Sequence, residues 1–394
     1  MKIVDLCEFY SERGGGVRSY LTRQGMAARE RGHELVVVAP GPRDSVTESE
    51  AGRVIRYRAP RMPYDPTYHM PWRPDVMRRV VNDERPDIVQ VSSPYLPAWV
   101  SRGLSEVPVR AYFYHSDPIG CYVRPTLRRL FPLRFARKAE HAIWGWQRAV
   151  SRWSDVTIVA GHWLEQLLKQ QGCQRVVTVP FGINRSELGQ DRASSDLRAG
   201  FLGPLAKDPQ AKLLLVTGRL AADKRQAKLL EALLVLAQRR PVALVCLGDG
   251  PERPRLEQLA RGLPHATFLS FTKDRSEYAG ILASVDALVH GSLCETFGFV
   301  VAETLCSGTP VVVPNAGGAA ALVNPSCAEI YEPDSSAPQI ADHIDRLLNR
   351  NSQDLSDAAV RAAGAIPTTD QHFDALFELY QRLRAAPDPR AAVV

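Results

Sequence analysis

No stretch of this 394-residue chain reaches the uninterrupted apolar length of a membrane span, so a transmembrane protein is not expected. The seven cysteines (Cys7, Cys121, Cys173, Cys246, Cys294, Cys306 and Cys327) include no C-x-x-C pair. An odd, scattered set argues against a disulfide framework or a zinc site and for a reducing compartment. No G-x-G-x-x-G follows a strand, which disfavours a nicotinamide oxidoreductase. No D-x-D occurs, so a divalent cation held by such a carboxylate pair is not indicated. Short-period repeats and low-complexity segments are missing as well. The opening MKIVDLCEFY reads as a buried strand, too short and too acidic for a signal peptide, and a cytoplasmic protein is expected.

What the chain does have is an ordinary soluble composition, 45% hydrophobic and 23% charged, over a length too great for one core and comfortable for two. Short apolar strands alternate with amphipathic helices. KIVDL, ELVVVAP, DIVQVSS, VRAYFYH, DVTIVA and RVVTVPFG are near-continuous Val/Ile runs, as expected of parallel strands covered on both faces. A helix is expected over Val17–Arg31, stopped by Gly32. The pattern then restarts with KLLLVTG, VALVCLG, ATFLSF, DALVH and TPVVVP, with a helix over Gln226–Arg239. The fold class is therefore α/β, two Rossmann-like doubly wound domains. The expected domains are 1–183 and 184–370, with a linker near Phe181–Glu187 in the weakly patterned stretch Asn184–Asp208. A last amphipathic helix covers Gln371–Ala385, within a terminal segment 371–394 expected to return to the first domain and end in a loose tail.

Three places carry chemistry. Ser11-Glu12-Arg13-Gly14-Gly15-Gly16 lies between the first strand and its helix, either as a tight turn or as a loop whose N–H groups approach a phosphate or sugar. Arg219 and Lys224 follow the first strand of the second half, where α/β sheets bind ligands. They are either a solvated basic loop or a diphosphate clamp, a planar fork and a point charge. Glu295 precedes, and Glu303 lies on, a helix expected to begin near Phe299 after Gly298. A helix N-terminus favours anions, whereas ionised carboxylates accept paired hydrogen bonds from vicinal diols. Both demands meet in one molecule, a nucleotide sugar, with its diphosphate between ribose and hexose. The plain alternative is a capping Glu295 and a surface Glu303.

In their order and spacing, Gly15–Gly16, GHELVVVAP, RPDIVQVSSP, FYHSD, VPFGIN, GRLAADK, LGDGP, the two glutamates and SGTPVVVPNAGG resemble glycosyltransferase family 4, enzymes of the GT-B fold. The resemblance implies two domains facing across a cleft. It implies that Arg219 and Lys224 hold the diphosphate, and that Glu303 binds the ribose hydroxyls. Glu295 would sit near the transferred sugar, with Phe297, Gly298, Phe299 and Val300 offering backbone N–H groups. His115 and the Gly15–Gly16 loop would lie beside the reacting centre. The chain departs from the family after Gly317-Gly318, where Ala319-Ala320-Ala321 replaces the usual glutamate.

The expected reaction is retaining transfer of a hexose from a UDP- or GDP-sugar to an acceptor hydroxyl, with no cofactor and no metal. Arg219, Lys224 and a helix N-terminus would neutralise the leaving diphosphate. Retention would follow from front-side attack, the departing phosphate taking the acceptor proton. His115 would assist the reacting sugar, and Asp117 would orient the acceptor or simply begin a turn before Pro118. Of the net charge of +6, much lies in 124–152, where Arg124, Arg128, Arg129, Arg134, Arg137, Lys138, Arg148 and Arg152 face only Glu140. Phe135, Ala139, Ile143, Trp146, Val150 and Trp153 would form one helical face. An anionic membrane surface and a lipid or lipid-linked acceptor fit this segment, and hence a peripheral place on the inner membrane face. The plain reading is a helix packed in its own domain; no nucleic-acid motif accompanies the charge. Alternatives for the whole protein are a GT-B-type epimerase or hydrolase, or a non-catalytic nucleotide-sugar-binding subunit.

Overall fold

The computed structural model describes residues 1–11, 15–63, 65–272, 274–387 and 389, and of Tyr122 the backbone only. Glu12, Arg13 and Gly14 of the glycine loop, and most of the tail, lie outside the described residues. The chain divides into two compact units. The first holds Met1–Ile119, Val123–Pro180 and the stretch from Asp370 onward; the second holds Gly120–Tyr122 and Phe181–Thr369.

The first unit is built on eight strands: β1 (Lys2–Leu6), β2 (Glu34–Gly41), β3 (Ser45–Ser49), β4 (Gly52–Arg58), β5 (Ile88–Val91), β6 (Val109–Tyr114), β7 (Val156–Val159) and β8 (Val176–Thr178). Their order is β3-β4-β2-β1-β5-β6-β7-β8, parallel except where β3 pairs with β4. The central strands are buried along nearly their whole length, which explains the continuous Val/Ile runs. The β3–β4 hairpin was not anticipated. Its edge strand, SVTES, is exposed and polar, so it lacks the apolar run that marks a strand in sequence. Helix Gly16–Glu30 buries Tyr20, Leu21, Gln24, Ala27 and Ala28, and the chain leaves it through Gly32 at φ +70°. Helix Thr369–Ala385 buries His372, Phe373, Leu376, Phe377 and Tyr380 in this unit.

The basic segment forms two helices, Arg124–Leu130 and Leu133–Trp153, broken at Phe131-Pro132. The buried ridge of the longer one is Ala136, Trp144, Gln147, Val150 and Ser151, which corrects the expected face. Phe135 is exposed, and Trp146 instead donates its indole N–H to the Pro94 carbonyl at 2.6 Å. Only Val150 is common to the expected face and the buried ridge; packing in the unit selected the ridge through Trp144.

The second unit has β9 (Lys212–Thr217), β10 (Val242–Leu247), β11 (His265–Leu269), β12 (Ala287–Val289), β13 (Val311–Pro314) and β14 (Ala328–Tyr331). All pairs are parallel, in the order β11-β10-β9-β12-β13-β14. The order reverses between β9 and β12, the place where such sheets bind ligands beyond their strand ends. The stretch expected to be weakly structured contains helix Ser195–Leu202, capped by the Ser194 hydroxyl. Cys121 and Cys294 form a disulfide in this unit, their Cα atoms 5.5 Å apart, contrary to the reading of scattered thiols. Their sequence separation of 173 hides a proximity that folding creates. Among the described residues no helix is long and apolar enough to cross a membrane.

Candidate active site

At the β9–β12 reversal, a cavity of about 330 Å³ is lined by Arg219, Lys224, His290, Glu295, Gly298, Phe299 and Val300, among others. Arg219 follows β9 and pairs with Asp223 at 3.0 Å, its side chain 55% exposed. Lys224 is more enclosed, and its Nζ lies 2.5 Å from Glu295 Oε1. Burial opposes ionisation of Glu295, but the adjacent Lys224 ammonium, with His290 and hydrogen bonds, holds its pKa below the usual carboxylate range.

The Glu295 loop is held by close backbone packing. Gly318 donates its N–H to the Glu295 carbonyl at 2.6 Å, and a Cβ on Gly318 would come within 2.7 Å of Phe297 backbone atoms. Gly298 has φ +95°, a left-handed conformation in which glycine is strongly favoured, and a Cβ there would meet Ala319 Cα at 3.1 Å. Helix Phe299–Cys306 starts immediately after it, so its first N–H groups point into the cavity end of the helix dipole. Phe297 is buried and does not line the cavity. Its ring packs with Phe181 and Phe299, 5.7 and 4.9 Å between centroids, and anchors the turn.

Glu303 sits one turn along that helix and is not among the cavity-lining residues. It accepts a hydrogen bond from Tyr278 at 2.8 Å and one from Arg275 at 3.3 Å; Arg275 also holds Glu187 at 3.0 Å. Helix Arg275–Ala283, capped by the Asp274 carboxylate, presents both partners. Sequence reading missed Arg275 and Tyr278, which no local pattern distinguishes. It also missed His290, whose Nε2 lies 3.8 Å from Glu295 Oε1 and whose pKa burial lowers to about 4. Here a signal existed: a histidine ending the buried strand DALVH, at the ligand-binding edge.

In the first unit, Gly15 (φ +119°) precedes helix Gly16–Glu30. His115 follows β6 directly, its ring stacked on Phe113 at 4.3 Å and edge-on to Tyr20 at 4.9 Å. Burial lowers its pKa to about 3, with nearby His372 contributing, so it is neutral at physiological pH. Asp117 is buried and accepts a hydrogen bond from Tyr114 at 3.3 Å. Among the described residues no group of three or more His, Cys, Asp or Glu is arranged to hold a metal.

Lys224, Arg219 and a helix start, with ionised Glu295 next to them, form a setting suited to a charged phosphate group joined to a polyol. Residues 14–187 match the family described as Glycosyltransferase Family 4, and residues 202–363 that described as Glycosyl transferases group 1. The GDP-mannose-dependent alpha-(1-6)-phosphatidylinositol dimannoside mannosyltransferase of Mycobacterium tuberculosis (strain ATCC 25177 / H37Ra) is 31% identical, the alignment covering 79% of each chain. A GDP-mannose-dependent alpha-mannosyltransferase of Corynebacterium glutamicum is 27% identical, over 82% of this chain and 75% of that one. In fold, the chain resembles sucrose-phosphate synthase from Thermosynechococcus elongatus, with a TM-score of 0.73 and 20% identity over 98% of this chain and 99% of that one. It also resembles Anabaena HepE in complex with UDP-glucose, with a TM-score of 0.70 and 18% identity over 97% and 99%.

Proposed function

The chain belongs to glycosyltransferase family 4, a glycosyltransferase of GT-B fold, and on that premise we propose that it transfers mannose from GDP-mannose, with retention, to a lipid-linked acceptor. The observation that carries the reading is the convergence of Lys224, Arg219, Glu295 and the Phe299 helix start on one cavity. Lys224 and Arg219 take the diphosphate, and the helix N–H groups add to the stabilisation of its leaving charge without a metal. Glu295 accepts hydrogen bonds from the hexose hydroxyls, and Glu303 takes the ribose. The attacking hydroxyl enters on the face from which the phosphate departs, and the phosphate oxygen takes its proton. His115 and Gly15–Gly16 serve the reacting sugar, and Asp117 the acceptor. GDP-mannose as donor rests on the names of the two bacterial relatives.

The lipid acceptor has a second support. Leu130, Phe131, Leu133 and Phe135 are each at least half exposed around the helix break, amid Arg128, Arg129, Arg134, Arg137 and Lys138. Apolar wedges within a basic rim suit a peripheral position on an anionic bilayer. The test is turnover of GDP-mannose against UDP-glucose with phosphatidylinositol mannosides in anionic vesicles, with and without EDTA. Expected are a GDP-mannose preference, an α-linked product by NMR, and no loss with chelator. Transfer from UDP-glucose alone, a β-linked product, or a metal requirement would each overturn the corresponding part.

A further inference from the structure

Asp5, on β1, is fully buried, and two donors converge on its Oδ2: Gln90 Nε2 at 2.6 Å and Ser92 Oγ at 2.7 Å. Gln90 is oriented from the other side, its Oε1 receiving the Tyr380 hydroxyl at 2.7 Å and Gln24 Nε2 at 2.8 Å. Ser92 Oγ also lies 3.1 Å from His115 Nε2. All of these residues belong to the first unit.

A serine hydroxyl has one proton to give and lone pairs to receive with. When Asp5 is ionised its Oδ2 takes the Ser92 proton, so the contact with His115 then needs its proton from the ring. The imidazole is therefore the Nε2–H tautomer, which leaves the lone pair on Nδ1. The Phe113 stack and the Tyr20 edge fix the ring plane. We propose that Asp5 and Ser92 are positioning residues that lock His115 in the Nε2–H tautomer, so that Nδ1 accepts a hydrogen bond from a hydroxyl of the reacting sugar. Neutral His115 then acts as an acceptor, not as a cation or an acid. Tyr380 and Gln90 extend the same chain of hydrogen bonds to the C-terminal helix. The proposal rests on the placement of His115 at the reacting centre.

The test begins with the full-length protein labelled with ¹⁵N-histidine, without substrate and above about pH 8, where Asp5, whose pKa burial raises to about 7, is ionised; His115 is assigned by its loss in His115→Gln. The expected spectrum has a protonated Nε2 and a bare Nδ1. Ser92→Ala should bring a mixed tautomer population, and Ser92→Thr should restore the single form. In turnover, Ser92→Ala should lower kcat roughly tenfold to a hundredfold, by analogy with the loss of an outer hydrogen-bonding partner of a metal-bound histidine. Donor KM should stay within about twofold, and Ser92→Thr should recover most of the rate. Asp5→Asn, read the same way, covers the case of a misfolded serine variant. A proton on Nδ1 in the wild type, or an unchanged tautomer and kcat in Ser92→Ala, would overturn the proposal. Full turnover by His115→Ala would instead remove the placement of His115, while the spectrum still decides the tautomer.

Discussion

Replacing Glu295 by glutamine should strengthen binding of GDP while weakening transfer, because the carboxylate competes with the nucleotide for Lys224. Lys224 Nζ and Glu295 Oε1 are 2.5 Å apart, and the two side chains are 25% and 21% exposed. Unit charges 4 Å apart attract by about 1 kcal/mol in water and about 4 kcal/mol at an effective dielectric of 20. The partial exposure places this pair toward the lower end, and we take roughly 1.4 kcal/mol, a factor of about ten in affinity. Glutamine preserves the shape and removes the charge, since Glu295 is held ionised by Lys224 against the effect of burial. Calorimetric titration at low salt should therefore give a GDP Kd about tenfold tighter, with the gain shrinking as salt screens it. Turnover should fall, because an amide presents only one acceptor oxygen to the hexose hydroxyls. Lys224→Ala should do the opposite to GDP binding, by up to about 4 kcal/mol. A GDP affinity in Glu295→Gln equal to or weaker than that of the wild type would refute the competition between carboxylate and diphosphate.

Burial raises the Asp5 pKa from 3.8 to about 7, so the folded protein holds a proton there that the unfolded chain releases above pH 4. That contribution to stability is present at low pH and lost as pH rises through 7; its ceiling is on the order of 4 kcal/mol. The Tm of Asp5→Asn relative to wild type should accordingly improve between pH 5 and pH 8, and a constant difference in thermal melts would contradict it. Gly298→Ala should impair donor binding and cost about 1–3 kcal/mol, since its φ of +95° is strained for a side chain and a methyl group there would crowd Ala319 at 3.1 Å; denaturant melts and GDP titration measure both. Trp144→Ala should destabilise by about 3–5 kcal/mol in urea, as expected for a large buried ring. Phe135→Ala should leave that midpoint within about 0.5 kcal/mol and reduce cosedimentation with anionic vesicles.

The covered strands were legible because a parallel strand buried on both faces must be apolar along nearly its whole length, and VALVCL and VVVP state this without help from neighbours. Exposed β3 carried no such mark and was missed. In the site, Arg219, Lys224, Glu295 and Gly298 could be singled out because they cluster at strand ends and in one glycine-bearing turn. Arg275 and Tyr278 could not, because their relevance comes only from a helix that packing brings against Glu303. The same holds for Ser92, an ordinary serine until β1, β5 and β6 lie side by side and set it between Asp5 and His115.

By itself, then, the order of residues determined the α/β alternation, the division into two sheets, and which loops follow the carboxyl ends of the strands, since these depend on burial period and local backbone chemistry. Tertiary structure decided which ridge of the long basic helix is buried, which cysteines meet, and which polar side chains share protons. Those are contacts between residues distant in the chain, and their partners are set by how the layers pack, for which no local pattern carries a signal.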